Sequence, residues 1–141
     1  MGKGTTFDND LLKAIFNADA LTGLFVNDTG TPQTTFSVAL HTADPTAGTQ
    51  STNEVSYTGY ARKNVARTSG GWTVSGASVH PAAVITFDAC SGGSATATHW
   101  SVGYSGGGAT KILYCGAISP TIAISSGITP QLSTATVITE A

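Results

Sequence analysis

Two runs of alternating apolar and polar residues, separated by a polar stretch, form the clearest pattern in the sequence. Residues 36–41 place Phe, Val and Leu at the even positions and Ser, Ala and His at the odd ones. This alternation predicts a strand, because successive side chains of a strand point to opposite faces. The second run starts at Tyr57, passes Tyr60 and ends at Val65, which predicts another strand. Residues 42–56 between them have almost nothing apolar to bury and are predicted to form a loop.

The predicted loop over residues 42–56 is long for a connection inside a compact domain. Loops of this length without secondary structure of their own are usually functional or disordered. Ordering the backbone costs about 1–2 kcal/mol of conformational entropy per residue, so other contacts have to compensate. We predict that a neighbouring chain supplies these contacts, which makes the segment a contact loop of a binding or assembly protein.

The N-terminal part of the chain is predicted to contain a mobile arm followed by one short helix. Residues 1–8 are assigned to the arm, and Asp8 or Asn9 is suited to cap the helix. Within residues 9–17, two pairs of apolar side chains lie four positions apart, which is the spacing of one amphipathic stripe. The next predicted features are a short helix or turn over residues 19–25 and a turn over 27–33.

The rest of the chain has the pattern of short strands separated by turns. The predicted strands cover residues 72–74, 83–87, 97–104, 111–118, 121–124 and 132–139, with breaks at 70–71, 80–81, 91–94 and 105–108. No helical pattern separates them, which argues against a parallel sheet, because parallel strands need crossover connections. The predicted fold class is therefore mainly β, an antiparallel β-sandwich or flattened barrel with a short N-terminal helix. All 141 residues are assigned to a single domain.

Composition favours a protein whose surface is covered by partners. Only 10% of the residues are charged, against about 25% in a typical soluble domain. A β-protein kept soluble by its many hydroxyl groups is the alternative interpretation. The net charge is −2 and no basic stripe is present, so nucleic acid is not an expected partner. The small basic cluster Arg62, Lys63 and Arg67 is expected to form ion pairs with Asp44 and Glu54 or with a neighbouring subunit.

Targeting features and cysteines point to a reducing site of synthesis. The N-terminus lacks the apolar segment of a secretory signal, and no apolar run approaches the roughly 20 residues of a membrane span, so no membrane partner is expected. The two cysteines, Cys90 and Cys115, are predicted to be buried free thiols, and a single disulfide between them is the alternative interpretation.

No arrangement of side chains predicts catalysis, a cofactor or a metal. His41, Asp44 and Glu54 are possible oxygen and nitrogen ligands, but they lack a ligand-spaced motif, and Asp44 before Pro45 is the usual pattern of a turn cap. No nucleophile-elbow motif is present, and the Gly-rich run 105–108 lacks the Lys and Ser or Thr of a phosphate loop. We therefore predict no catalytic residues, no cofactor and no metal ligands.

Several aromatic side chains leave a carbohydrate-binding face open as a competing interpretation. They are Tyr57, Tyr60, Trp72, Trp100 and Tyr104. Aromatic planes stack on sugar rings, but in a small β-domain such residues more often pack in the core or across strands.

Three segments carry a resemblance to a known family. They are LTGLF at residues 21–25, VALHTADP at 38–45 and EVSYTGYARKNV at 54–65. With these motifs the chain resembles a family of small tailed-phage virion structural proteins. Members are often labelled tail-fibre proteins, and some β-rich proteins of this size act as capsid decoration or cement. The resemblance implies a β-rich, non-enzymatic protein located in the virion and made in the host cytoplasm.

The functional hypothesis that follows is a capsid decoration protein. Copies are expected to form homo-oligomers, with trimers at capsid symmetry axes, and to bind the major capsid protein or other virion proteins. Tyr and Arg are common interface anchors. The predicted interface residues are Asp44, Glu54, Tyr57, Tyr60, Arg62 and Arg67. A tail-fibre or tail-tip component that binds a host surface glycan is the alternative.

Overall fold

The computed structural model describes residues 5–20, 32–106 and 109–140, and it confirms the predicted fold class. One N-terminal helix precedes a series of strands, most of them short. The elements are α1 (Thr5–Phe16), β1 (Thr35–His41), β2 (Lys63–Ala66), β3 (Trp72–Ser75), β4 (Ser78–Pro81), β5 (Ile85–Thr86), β6 (Ala95–Gly106), β7 (Ala109–Ile124), β8 (Gln131–Leu132) and β9 (Ile138–Thr139).

The strands form three sheets. The largest has the order β2-β1-β6-β7, the second has the order β3-β4-β9, and β5 pairs with β8. The pairs β1–β6, β6–β7, β3–β4, β4–β9 and β5–β8 are antiparallel. Among the described strands no sheet closes into a barrel.

The contacts within the chain define two compact units. The first contains Met1–Thr35, Val65–Val84 and Ser133–Ala141, and the second contains Phe36–Asn64 and Ile85–Leu132. The assignment of residues 1–141 to a single domain stays a prediction.

In the first unit, α1 packs its apolar stripe onto β3 and β4. Leu12, Phe16 and Trp72 are fully buried, and the Phe16 and Trp72 rings meet edge to face with centroids 4.9 Å apart. The two buried helix residues belong to the predicted stripe. Edge-to-face pairs of this kind add about 0.5–1.5 kcal/mol beyond area burial.

The helix starts earlier than the predicted residue 9 and takes in the second half of the segment 1–8 that was assigned to the arm. Residues 5–8 are helical, and residues 1–4 lie outside the described part. This stretch contains no Gly or Pro, and Asp8 lies in the first turn, where the helix dipole favours a negative charge. The short helix predicted over 19–25 and the turn over 27–33 fall largely on residues 21–31, which are outside the described residues.

In the second unit, β1 and β6 form the buried centre of the large sheet. Leu40 pairs with Trp100 on one face, and His41 pairs with His99 on the other. Residues 38–41 are buried on both faces of the strand. The predicted alternation of side chains is confirmed, but over residues 38–41 neither face of β1 is left to solvent.

Of two prolines expected to break strands, one coincides with a strand end and the other does not interrupt its strand. Pro81 is the last residue of β4, and Pro120 lies inside β7, which replaces two predicted strands by one of 16 residues. Proline lacks an N–H donor, and β7 is the outermost strand of its sheet, where that donor is not needed by a neighbouring strand of the sheet. Conversely, the strand predicted over 132–139 is split into β8 and β9.

Candidate functional site

The segment 42–56, the predicted contact loop, lies against its own sheet. The side chain of Gln50 is fully buried, and its Nε2 donates to Ser37 O at 2.8 Å and to Ser101 Oγ at 3.3 Å. A Cβ atom added at Gly103 would clash with the backbone oxygen of Lys111 and would lie 2.9 Å from Gln50 Cδ, so the missing side chain makes room for both the neighbouring strand and the glutamine. The loop therefore packs on the strands β1 and β6.

The same loop reaches the edge strand β7. Thr46 Oγ1 donates to Asp44 Oδ1 and lies 3.2 Å from Cys115 Sγ, so the thiol of Cys115 is the donor in that second contact. Cys115 pairs with Ser101 across β6 and β7, and paired residues share one face of a sheet. The loop thus crosses one face of three neighbouring strands.

Backbone hydrogen bonds order the loop within the chain. Thr42 N donates to Asn53 O at 2.7 Å and Val55 N donates to Leu40 O at 3.0 Å, which continues the sheet beyond β1. Pro45 and Val55 are buried as well. The expectation that the loop has almost nothing to bury and needs a neighbouring chain to order it is therefore wrong: its own sheet supplies the contacts.

A buried polar network under the loop defines the tautomer of neutral His41. Its Nδ1 lies 2.9 Å from Thr52 O and its Nε2 lies 2.8 Å from Ser101 Oγ. A carbonyl only accepts, so Nδ1 carries the proton, and neutral His41 accepts at Nε2 from the Ser101 hydroxyl. Burial of the ring lowers the pKa of His41, against the opposing hydrogen bond to Thr52 and the charge of Glu54.

This network joins a serine to a histidine, but it is closed to solvent. His41, Gln50 and Ser101 are all fully buried. The Ser101 hydroxyl accepts from Gln50 and donates to His41, so both of its roles are used inside the chain. The arrangement has the hydrogen bonds of a serine–histidine pair without a path for a substrate, and its evident role is to hold the loop.

Three of the predicted interface residues meet in one cluster that ties the loop to the following segment. Arg62 binds both carboxylate oxygens of Glu54, through Nε at 2.7 Å and through its second terminal nitrogen at 2.7 Å, and it also donates to Ser51 Oγ at 3.0 Å. The Tyr60 hydroxyl donates to Glu54 Oε1 at 2.9 Å. Both oxygens of the carboxylate are therefore occupied, and the bonds to Glu54 raise the pKa of Arg62. We call this group the Glu54 clamp.

The tyrosines near the clamp are largely buried and hydrogen-bonded. Tyr60 OH accepts from Leu40 N at 3.1 Å, and Tyr57 OH donates to Asp88 O at 2.9 Å. The Tyr60 ring stacks on Phe87 and meets Tyr57 edge to face. Burial raises the pKa of both tyrosines. These rings pack against one another and do not form an open sugar platform.

The remaining two predicted interface residues lie apart from the clamp. Asp44 is exposed and accepts from Thr46 N and Oγ1, which is the predicted turn cap, and these bonds lower the pKa of its carboxyl. Arg67 belongs to the first compact unit and donates to Ile15 O at 2.5 Å and Ala14 O at 2.6 Å. It therefore binds the C-terminal carbonyls of α1, where the helix dipole favours a positive charge. The role of all six residues in an interface stays a prediction.

Replacing Arg67 with Ala should destabilise the first unit by about 2 kcal/mol, since charge-assisted bonds to helix carbonyls are lost. Urea unfolding followed by tryptophan fluorescence in a Trp100→Phe background, where Trp72 is the single tryptophan, measures this change. Arg67→Lys keeps the charge but has a single nitrogen in place of the two that bond to the two carbonyls, so we expect an intermediate loss of stability. Equal stability of Arg67→Ala and the parent would contradict this capping role.

Sequence reasoning missed Gln50 and Ser101. A glutamine in a polar loop shows no pattern that distinguishes a buried residue from an exposed one. The available signal was Gly103 inside an otherwise well-patterned strand, since a glycine there often marks a close approach of another segment.

Both cysteines are free thiols. Cys90 is a buried free thiol as predicted, while Cys115 is also free but partly exposed. Within residues 5–20, 32–106 and 109–140, no three His, Cys, Asp or Glu side chains converge as a metal site. In the same residues no helix is long and apolar enough to span a membrane.

Comparison with known proteins supports the resemblance found in the motifs. No curated protein matches the chain. A family model described as the podophage GP4 fiber I protein gp80 matches residues 4–139, which is nearly the full sequence. The match confirms a phage virion structural family of fibre type. The chain therefore belongs to the family of the podophage GP4 fiber I protein gp80.

Proposed function

We propose that this chain is a non-enzymatic structural subunit of a fibre of a tailed-phage virion. The family match over residues 4–139 is the observation that carries the proposal. The buried state of the His41–Ser101 pair supports a role without catalysis, because the one contact of catalytic type is used to hold a loop. Such a protein acts through the surfaces that it presents to other virion proteins.

The outer side of the loop over residues 42–56 is the contact surface we favour. Its inner side is anchored by Gln50 and by the Glu54 clamp, while Ala43, Ala47 and Thr49 are exposed. A loop that is already ordered loses little further entropy on binding, which favours affinity. The proposed partners are further copies of the chain and other virion proteins, with a trimer as the proposed oligomer.

A capsid decoration protein is the second candidate. The low charged fraction of 10% and the lack of any sequence repeat favour it, because a fibre shaft requires a repeated unit and a cement protein does not. In that role the major capsid protein is the partner. In both roles the chain is made in the host cytoplasm and works without nucleic acid or membrane.

Copy number on purified particles separates the two candidates. A fibre subunit should be present at a low copy number set by the tail symmetry, on the order of ten, whereas a cement protein should reach on the order of hundreds. Quantitative mass spectrometry against an isotope-labelled standard of this chain measures it. Absence of the chain from purified particles would overturn both.

The loop's contact role predicts that Ala47→Arg lowers incorporation into particles by about tenfold, because a charge is introduced into an uncharged contact. Ala89→Arg is the matched control, since it adds the same charge at an exposed alanine outside the loop. Both variants should keep the parent's melting temperature. Full incorporation of Ala47→Arg would overturn the role of the loop and leave the structural function standing.

A further inference from the structure

The strand β7 is the last strand of the large sheet, so one of its edges is available for pairing with a further strand. It contains 16 residues and pairs with β6 on one side, and no described strand pairs with its other side. Lys111 is the only Lys, Arg, Asp or Glu between residues 89 and 139. Sheet edges with few charged residues are places where another strand adds, and Lys111 lies outside the run Tyr114–Ala117 on which the pairing depends.

The hydrogen bonds of the sheet show which groups of β7 point outward. Leu40 O accepts from Val55 N and Leu40 N donates to Tyr60 OH, so the backbone groups of Leu40 point away from β6. Trp100, which pairs with Leu40, consequently directs its backbone groups to Gly116 of β7.

The pattern then alternates along β7. Gly116 bonds inward to β6, so its neighbours Cys115 and Ala117 direct their N–H and C=O groups outward. Both belong to a short regular run. The pairing with β6 is irregular between Val102 and Gly103 and again between Ala97 and His99, which leaves Tyr114–Ala117 as the uninterrupted stretch between these points.

We propose that this run pairs with the same run of a second copy, antiparallel, about a two-fold axis at Gly116. Cys115 of each copy then faces Ala117 of the other. Each facing pair exchanges both backbone hydrogen bonds, which makes four bonds across the axis. Gly116 lies opposite its own counterpart at the narrow spacing of about 4.5 Å between Cα atoms, where the lack of a side chain permits close approach.

A second copy is the occupant because the edge is complementary to itself. A two-fold rotation about Gly116 places the outward N–H and C=O groups of Cys115 opposite those of Ala117 in the second copy. Each donor then faces an acceptor with no change of register. The irregularities on both sides of the run pin this register, as bulges do in other sheets. Two copies bring no like charges together within the run, and the partly exposed Ile112 and Ile118 flank it with apolar surface.

The pairing deepens the proposed function and rests on it, since it assigns the surface through which copies associate. A two-fold contact is isologous and does not by itself build a trimer. It joins two chains directly or connects chains of neighbouring oligomers.

Cross-linking at the axis tests the register. In a Cys115→Ser background, Gly116→Cys places one thiol at the axis, and its Cβ would lie at an ordinary 3.5 Å from Trp100 Nε1. Facing residues at this spacing are within disulfide range. Mild oxidation of the purified chain and of purified particles should give a covalent dimer on a denaturing gel. Ala89→Cys in the same background is the exposed control and should stay monomeric on the gel.

Removal of the Ala117 N–H, which points away from β6, tests the proposed hydrogen bonds between the two copies. Ala117→Pro lacks an N–H that does not pair with β6, so the melting temperature should change little while self-association weakens about tenfold in analytical ultracentrifugation. Ala117→Ser keeps the donor and should associate like the parent.

The pairing is overturned if Gly116→Cys forms no dimer above the control in solution or on particles, or if Ala117→Pro associates like the parent. These results are distinct from failure of the proposed function. A chain that is incorporated into particles but does not cross-link refutes the pairing alone, whereas a chain absent from particles refutes the structural role.

Discussion

Replacing Arg62 with Ala should lower the free energy of unfolding by about 2–3 kcal/mol, because it leaves the Glu54 carboxylate partly buried without its cation. The side chains of Arg62 and Glu54 are only 22% and 18% exposed. The substitution removes both bonds to the carboxylate and the bond to Ser51. Of the Glu54 clamp, only the hydrogen bond from Tyr60 then ties the segment 42–56 to the chain that follows it.

The neighbouring ion pair is the matched control for this prediction. Lys63 binds Asp88 at 2.8 Å, but these side chains are 28% and 52% exposed, so Lys63→Ala should cost less than about 1 kcal/mol. Urea unfolding of the two variants beside the parent measures the difference. Similar losses for Arg62→Ala and Lys63→Ala would show that the Glu54 clamp is no stronger than a surface pair.

Acidification should destabilise the protein through His41, with a slope of at most about 1.4 kcal/mol per pH unit for this one proton. Burial holds the pKa of His41 below its ordinary value of 6.5. Between the folded-state pKa and 6.5, the unfolded chain binds a proton that the folded chain does not. Stability is therefore complete above about pH 6.5 and declines as the pH falls below it.

The physical reason is the direction of the hydrogen bonds around the ring. Protonated His41 donates at Nε2, so the Ser101 hydroxyl loses its acceptor in a fully buried site. Glu54 favours the protonated form, whereas Arg62 and His99 oppose it. Loosening should begin in the loop over residues 42–56, since Thr52 and Gln50 are tied to the same network.

Stability measured from pH 8 to pH 5 tests this prediction (a range chosen around the ordinary histidine value of about 6.5). His41→Gln should flatten the pH dependence even where it lowers stability at every pH. His80→Gln is the control and should keep the slope, because His80 is not among the groups that act on His41. An unchanged slope in His41→Gln would assign the acid response to other groups.

The sequence by itself determined the class of the protein. Alternation over residues 36–41 and 97–104 predicted strands that the structure contains, because side-chain period depends only on local backbone geometry. The helix stripe through Leu12 and Phe16 followed from the same argument. The motifs VALHTADP and EVSYTGYARKNV identified the family, since they are read directly from the residue order.

The tertiary structure alone decided what the long loop does. Its polar composition predicted an outward-facing contact segment, but Gln50 of the loop and His41 at the end of β1 both hydrogen-bond to Ser101 of β6, which is 51 and 60 residues away in the sequence. Burial of a polar side chain depends on partners that arrive from distant positions, and no local pattern encodes them. For the same reason Glu54, Tyr60 and Arg62 form one clamp, while Arg67 caps a helix in the other unit.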